Sequence, residues 1–420
     1  MAEYYPSEGI EQVLKNQSAY YNELDLSSFS AIFGNVSESY KFYWTEAILN
    51  QMAMFPDQRE FSLSVLADQM IADAWYTVTE YHLRLGIVNS NAKSSDGGLE
   101  RAVKDLQKAV EEAGIEVKSN AKKSEILNLL KEFGENPAVK KDKIRLTTMV
   151  PYRLLSPFTG SSALSGSQMQ SFRKCNEIAA TVRLPYTFVI RKGLETSILL
   201  DDAWSRMFAD QCEILLGWIR YQKVRYLQNR NPGVPGIIYK LEPENAGIRK
   251  LQNARKLWTM VMDRREILDI YNGQRLNDIG FDLDHFVPWS YVASDELWDL
   301  LPMDSSLNSS KSNRLPVWDQ YFRNYAENQF RMYETVFTDA SVRSQFEKCR
   351  KDNLTSIWGA EELYIPNHNQ TEFMNILEKN LRPVYDAAKQ QGYGLWKRMN
   401  AYSAAIQSAT GCLYHCKKIV

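Results

Sequence analysis

From Tyr40 the apolar residues Tyr40, Tyr43, Trp44, Ala47, Ile48 and Met52 recur at i, i+3, i+4 spacing, which only a helix gathers onto one face. Ser37 or Ser39 can cap that helix, and Pro56 follows its end. A second stripe runs Leu63, Leu66, Ala67, Met70, Ile71, Ala74, Val78, His82 and Leu85, stopped by Gly86. His82 extends an apolar stripe and reads as a structural, hydrogen-bonded histidine. Such stripes must be buried against one another, so residues 1–92 are expected to form a helical domain. No apolar run approaches the roughly 18 residues of a membrane span, and the first residues lack the basic and apolar regions of a signal peptide. Five scattered cysteines (175, 212, 349, 412 and 416) argue for a reducing compartment. A cytoplasmic chain with no membrane partner is therefore expected.

Residues 89–98 have the composition of a linker. In the span 99–135, Leu99, Val103, Leu106 and Val110 mark one helix, broken at Gly114. An extended Ile115-Glu116-Val117 follows, and Ser124 opens a second helix with Ile126, Leu127, Leu129, Leu130 and Phe133. This helix–extended loop–helix resembles the small SAP and HeH-type modules. Many of those touch nucleic acid, which would make Lys118, Lys122 and Lys123 phosphate contacts; the alternative is a charged hairpin that only spaces domains. Residues 156–168 form a second loop-like stretch. Pro185–Ile190 reads as a strand, and a long helical region is expected from about Ser197 to Tyr226.

With 50 basic and 51 acidic residues the chain has no global nucleic-acid signature, so any polyanion site must be a local patch. The span 146–266 contains one. Between Ile214 and Glu266, eleven Lys or Arg face four acids, a local charge of +7, with Trp218, Tyr221, Tyr226, Tyr239 and Trp258 interleaved. Arg220, Lys223 and Arg225 are the candidate phosphate contacts there, against the alternative of a solvated helix face.

The most informative segment is Phe281–Pro316, FDLDHFVPWSYVASDELWDLLPMDSSLNSSKSNRLP. Asp284-His285 precedes a turn at Pro288. Asp299 lies fourteen residues after the histidine and Asn308 nine further on, followed by Lys311 and Asn313. Phosphodiester hydrolysis needs a base to deprotonate water and a cation to offset charge on phosphorus and the leaving oxygen. An imidazole, titrating near neutrality, suits the first need. The hard oxygens of Asp284 and Asn308 suit a single Mg²⁺ or Mn²⁺ that keeps several waters. Neighbours on a strand point to opposite sides, so Asp284 and His285 can share a site only at a strand end or bulge.

Spacing and residue types resemble the HNH family of nucleases, in particular the HNH domain of RNA-guided CRISPR effector nucleases. The resemblance implies a mainly α chain with an embedded ββα-metal module at 267–330, α+β overall, followed by a helical cap at 331–420. It implies a Mg²⁺-dependent DNA endonuclease leaving 5′-phosphate and 3′-hydroxyl ends. His285, Asp299 and Lys311 would be the catalytic set, Asp284 and Asn308 the metal ligands and Asn313 a nucleic-acid contact. Asp299 stands where the family most often has asparagine, and by resemblance it would accept the imidazole Nδ1–H. Many members hold zinc in two cysteine pairs. Asp269, Asn272, Asp304 and Leu307 occupy that region here without a thiol, so no structural zinc is expected. Asn272-Gly273 still reads as a tight hairpin turn.

Free-standing HNH chains of this kind resemble those of restriction or anti-phage defence. Since one HNH site cuts one strand, a homodimer or a regulatory partner is a further expectation. The competing readings are a non-enzymatic nucleic-acid-binding subunit with a decayed site and a toxin-like nuclease released by a partner. The Cys412-x-x-His415-Cys416 tail reads as a terminal helix with incidental thiols, and His368 as a loop histidine. No GxxxxGK[ST], GxGxxG or GxSxG motif is present.

Overall fold

A computed structural model describes residues 11, 23–87, 97–159, 171–241, 249–276 and 280–396. The 89–96 part of the linker, the 160–168 part of the second loop and the Cys412–Cys416 tail lie outside the described residues. The structure is mainly helical with small sheets, and no described helix is long and apolar enough to cross a membrane. Its contacts group into two compact units, residues 1–232 with 237–246, and 233–236 with 247–420.

The first unit runs α1 (Leu26–Ser30), α2 (Tyr40–Met54), β1 (Glu60–Ser62), α3 (Leu63–Thr79), α4 (Gly98–Glu112), α5 (Lys123–Phe133), α6 (Pro137–Arg153), α7 (Phe172–Ala179), β2 (Tyr186–Val189), β3 (Ser197–Leu200), α8 (Asp202–Asp210) and α9 (Cys212–Arg230). The two apolar stripes pack α2 on α3, with Trp44 and Trp75 wholly buried. Ser62 starts α3 by accepting the Val65 N–H on its hydroxyl. The helix stops at Thr79, short of the expected Leu85, because His82 takes a left-handed backbone (φ 51°) and the chain turns back. The 99–135 hairpin forms as expected, yet it is no separate spacer: α4 and α5 both pack on α3. β3 joins β1 and β2 in an antiparallel sheet of order β1-β3-β2. Residues 197–200 were expected to be helical, but they carry ladder bonds on both edges, and α8 starts only where Asp201 caps Ala203 and Trp204.

The second unit runs α10 (Gln252–Met262), β4 (Phe281–His285), α11 (Trp289–Val292), β5 (Leu300–Asp304), α12 (Ser305–Lys311), β6 (Leu315–Pro316), α13 (Trp318–Thr338), α14 (Ala340–Asn353), α15 (Gln370–Gln390) and β7 (Leu395–Trp396). α10 packs on α14, so residues 249–262 of the 146–266 span belong to this unit. β4 and β5 pair antiparallel with Asp284 opposite Leu301 and His285 opposite Leu300. Upstream, Leu268 bridges Arg275 across the expected tight turn, where Gly273 adopts φ 72°. Asp269, 1% exposed, fastens that turn: Oδ1 accepts the Tyr271 and Asn272 N–H groups (2.8 and 3.2 Å) and Oδ2 accepts the Asp304 N–H (2.8 Å). One carboxylate thus joins the two places where a zinc knuckle would have its sulfur pairs.

Candidate active site

The strand-end requirement is met. Asp284 and His285 are the last two residues of β4, and the chain turns away at Pro288, the residue before α11. α12 follows β5 directly because Asp304 caps it, and it packs on both strands. That packing brings Lys311, 0% exposed, under the strand end. Its Nζ donates to the His285 carbonyl (2.7 Å) and lies 2.8 Å from Asp284 Oδ2.

His285 is 2% exposed, with both ring nitrogens engaged. Nε2 lies 3.1 Å from the Ser294 carbonyl and 3.2 Å from Asp295 Oδ1, while Nδ1 faces Arg249 Nη2 at 3.2 Å. Acceptors around Nε2 assign the proton there, and a guanidinium donor assigns the lone pair to Nδ1. This corrects the expected role of Asp299. Its Oδ1 accepts the Val287 N–H (2.8 Å) rather than an imidazole N–H, and its main-chain carbonyl accepts the Phe286 N–H (2.9 Å). Asp299 therefore shapes the turn after His285. Burial pushes its carboxyl up to about 7, against the lowering effects of His285, the Val287 N–H and Lys311. Its Oδ2 is buried with no hydrogen-bond partner among the described residues.

The group that touches the imidazole is Asp295. Burial raises its carboxyl, but His285 and Arg249 outweigh this and leave it below the usual carboxylate range. Ser294 and Asp295 follow Ala293, whose left-handed backbone (φ 52°) ends α11 and turns the next residues toward the ring. Spacing signalled neither Asp295 nor Arg249, although Arg249 is one of the eleven basic residues counted above.

Asp284 Oδ1 and the Asn308 side-chain amide accept or donate no hydrogen bond among the described residues, and Asn308 lies partly exposed on α12. These oxygen donors fit a hard divalent cation that keeps most of its water. No described group of three or more His, Cys, Asp or Glu could hold a metal by itself. Asn313 lies just beyond α12, partly exposed.

The first unit corrects one of the nucleic-acid candidates. Lys223 is 4% exposed, its Nζ 2.5 Å from Glu46 and 4.6 Å from the Tyr43 ring centroid, so it offers no surface charge. Lys123 lies 2.9 Å from buried Asp73, with its side chain 41% exposed. Lys118, Lys122 and Arg225 are exposed, and Arg220 is half-buried. His368 is held by the Glu362 carbonyl (2.7 Å from Nε2) and by the Tyr333 hydroxyl, which accepts its main-chain N–H (2.9 Å).

Residues 269–317 match the family model of HNH endonucleases. That span holds Asp284, His285, Asp299, Asn308 and Lys311, so this segment is of the HNH nuclease type. No curated protein and no solved structure gives a significant match to the chain.

Proposed function

We propose that the chain is an endonuclease that hydrolyses DNA, double- or single-stranded, with His285 as general base and Asp284 and Asn308 holding Mg²⁺ or Mn²⁺. The observation that carries this reading is the His285 tautomer. With Nε2–H held by Ser294 and Asp295, Nδ1 is left as a proton acceptor on the same strand end as the unbonded Asp284 Oδ1. Nδ1 takes a proton from water, the hydroxide attacks phosphorus, and the bond to the 3′-oxygen breaks as that oxygen takes a proton from solvent, leaving 5′-phosphate and 3′-hydroxyl ends. When bound, the cation supplies positive charge to the phosphoryl and leaving oxygens. Lys311 fixes Asp284 and the His285 main chain, and Asp299 fixes the turn behind them.

Arg220, Arg225, Lys118, Lys122, Lys123 and Asn313 remain as candidate DNA contacts; Lys223 does not, because its buried charge is spent on Glu46. A cytoplasmic role in restriction or anti-phage defence rests on the family resemblance alone. A double-strand break would take two sites, as in a homodimer.

The test is plasmid relaxation with Mg²⁺ or Mn²⁺. His285→Ala is expected to lose ~10²-fold or more of the nicking rate while keeping duplex affinity. If the wild-type protein binds duplex but nicks it with neither ion, the non-enzymatic binding subunit replaces this reading.

A further inference from the structure

We propose that Arg249 is the residue that takes the scissile phosphate, and that this capture is what frees the His285 base. The inference rests on the nuclease reading above. In the structure the atom that would accept the proton is not free: Arg249 Nη2 lies 3.2 Å from His285 Nδ1, along the one lone pair the ring has. Water cannot be activated there while the guanidinium remains.

The main chain on the C-terminal side of Arg249 is pinned. The Lys250 N–H donates to Asp295 Oδ2 (3.2 Å). Asn353, 0% exposed, donates to the carbonyls of Lys250 (3.1 Å) and Asp295 (2.9 Å), and its own carbonyl accepts the Leu297 N–H (2.7 Å). The Arg249 side chain is 40% exposed. Its Nε is 3.2 Å from Asp295 Oδ1, so Asp295 holds the near side of the fork while the far side rests on the imidazole.

Two acceptors then compete for that far side. A hydrogen bond from guanidinium to a phosphate oxygen joins opposite charges and can be bidentate, whereas an imidazole lone pair is uncharged and takes a single N–H. A phosphodiester entering beside β4 draws Nη2 off Nδ1, while Asp295 keeps hold of both Nε and the ring Nε2–H. Arg249 is thus a phosphate ligand, and Asp295 a positioning residue that keeps guanidinium and imidazole in register during the exchange. The base becomes available only when there is a phosphodiester for the water to attack.

The experiment uses the full chain with ¹⁵N-labelled histidine and a short DNA duplex in EDTA, so that nothing is cleaved. Loss of one signal in His285→Gln assigns His285 among the four histidines. In the free protein its Nδ1 should show the resonance of a hydrogen-bonded acceptor, and saturating duplex should shift it toward that of an unbonded one. In Arg249→Gln the free protein should already lie near the unbonded position, and duplex should move it no further. The slope of log K against log salt, read by fluorescence anisotropy, should flatten by about 0.9, the loss of one phosphate contact. Duplex that binds wild-type protein without moving Nδ1 overturns the proposal and leaves the nuclease reading standing, as does an unchanged salt slope in Arg249→Gln. The wild-type measurement decides even if that variant does not fold. Absence of any duplex binding removes both readings.

Discussion

Each unit buries a cluster of charges, and the two clusters are built on opposite plans. In the first unit Glu46 meets Lys223, and Asp73 receives Lys123, Gln69 (3.0 Å) and Asn50 (3.1 Å), with Gln51 donating to Gln69 (3.0 Å). These partners come from α2, α3, α5 and α9, so the charges tie helices together. In the second unit Asp284, His285, Asp299 and Lys311 are equally buried or nearly so, but Asp299 Oδ2 has no hydrogen-bond partner among the described residues and the Nδ1 lone pair lies under Arg249. Burial alone does not distinguish structure from chemistry. Closed polar networks rigidify, and incompletely satisfied ones mark places where something else binds.

Three measurements can break or sharpen that contrast. The largest effect is expected for Lys311→Met, which removes the ammonium from beneath both Asp284 and the His285 carbonyl. Breaking a buried pair from one side costs ~3–5 kcal/mol, so urea unfolding of the second unit should shift by that order and nicking should be lost with it. Retained nicking would remove Lys311 from the site. Lys223→Met should cost a similar ~3–5 kcal/mol in the first unit by stranding Glu46, and Glu46→Gln added to it should restore most of the loss. The salt dependence of duplex binding should not change; a flattened slope would show that Lys223 leaves its partner to meet phosphate.

The third measurement concerns Lys240, 1% exposed, which burial pushes down to about 7. Above that pH the folded state has released a proton that the unfolded chain, near 10.4, still holds. Stability should therefore rise from about pH 7 toward pH 10, by at most ~1.4 kcal/mol per unit. Lys240→Met should be the more stable protein at pH 7 and lose that rise. An identical pH profile in the two proteins would mean that the ammonium finds solvent.

The helical stripes, the 99–135 hairpin, the strand at 185–190, the tight turn at Asn272-Gly273 and the strand end carrying Asp284 and His285 were legible because each depends on residues close in sequence. Burial of Lys223 was legible too, and overlooked. Leu215, Ile219, Lys223 and Leu227 recur at four-residue spacing, so the lysine sits in an apolar row of α9. Other features had no local signal. Lys123 is claimed by an aspartate fifty positions away, and His285 is gripped by Arg249, whose approach depends on Asn353 joining two distant loops. Residues 197–200 read as helix because their apolar run has no period of its own; only pairing on both edges selects the strand.

The Asp269 clasp has a consequence for how such a protein endures harsh surroundings. Sulfur-bound knuckles open when zinc is scarce, when a chelator competes for it, or when peroxide or hypochlorite oxidises the thiolates that hold it. Here the joint consists of one carboxylate and three main-chain N–H groups, and the stretch 267–330 contains no cysteine to oxidise. Starvation for metal would withhold the ion proposed for Asp284 and Asn308, but this fastening offers neither starvation nor an oxidant a point of attack. A nuclease so built would fall silent without coming apart.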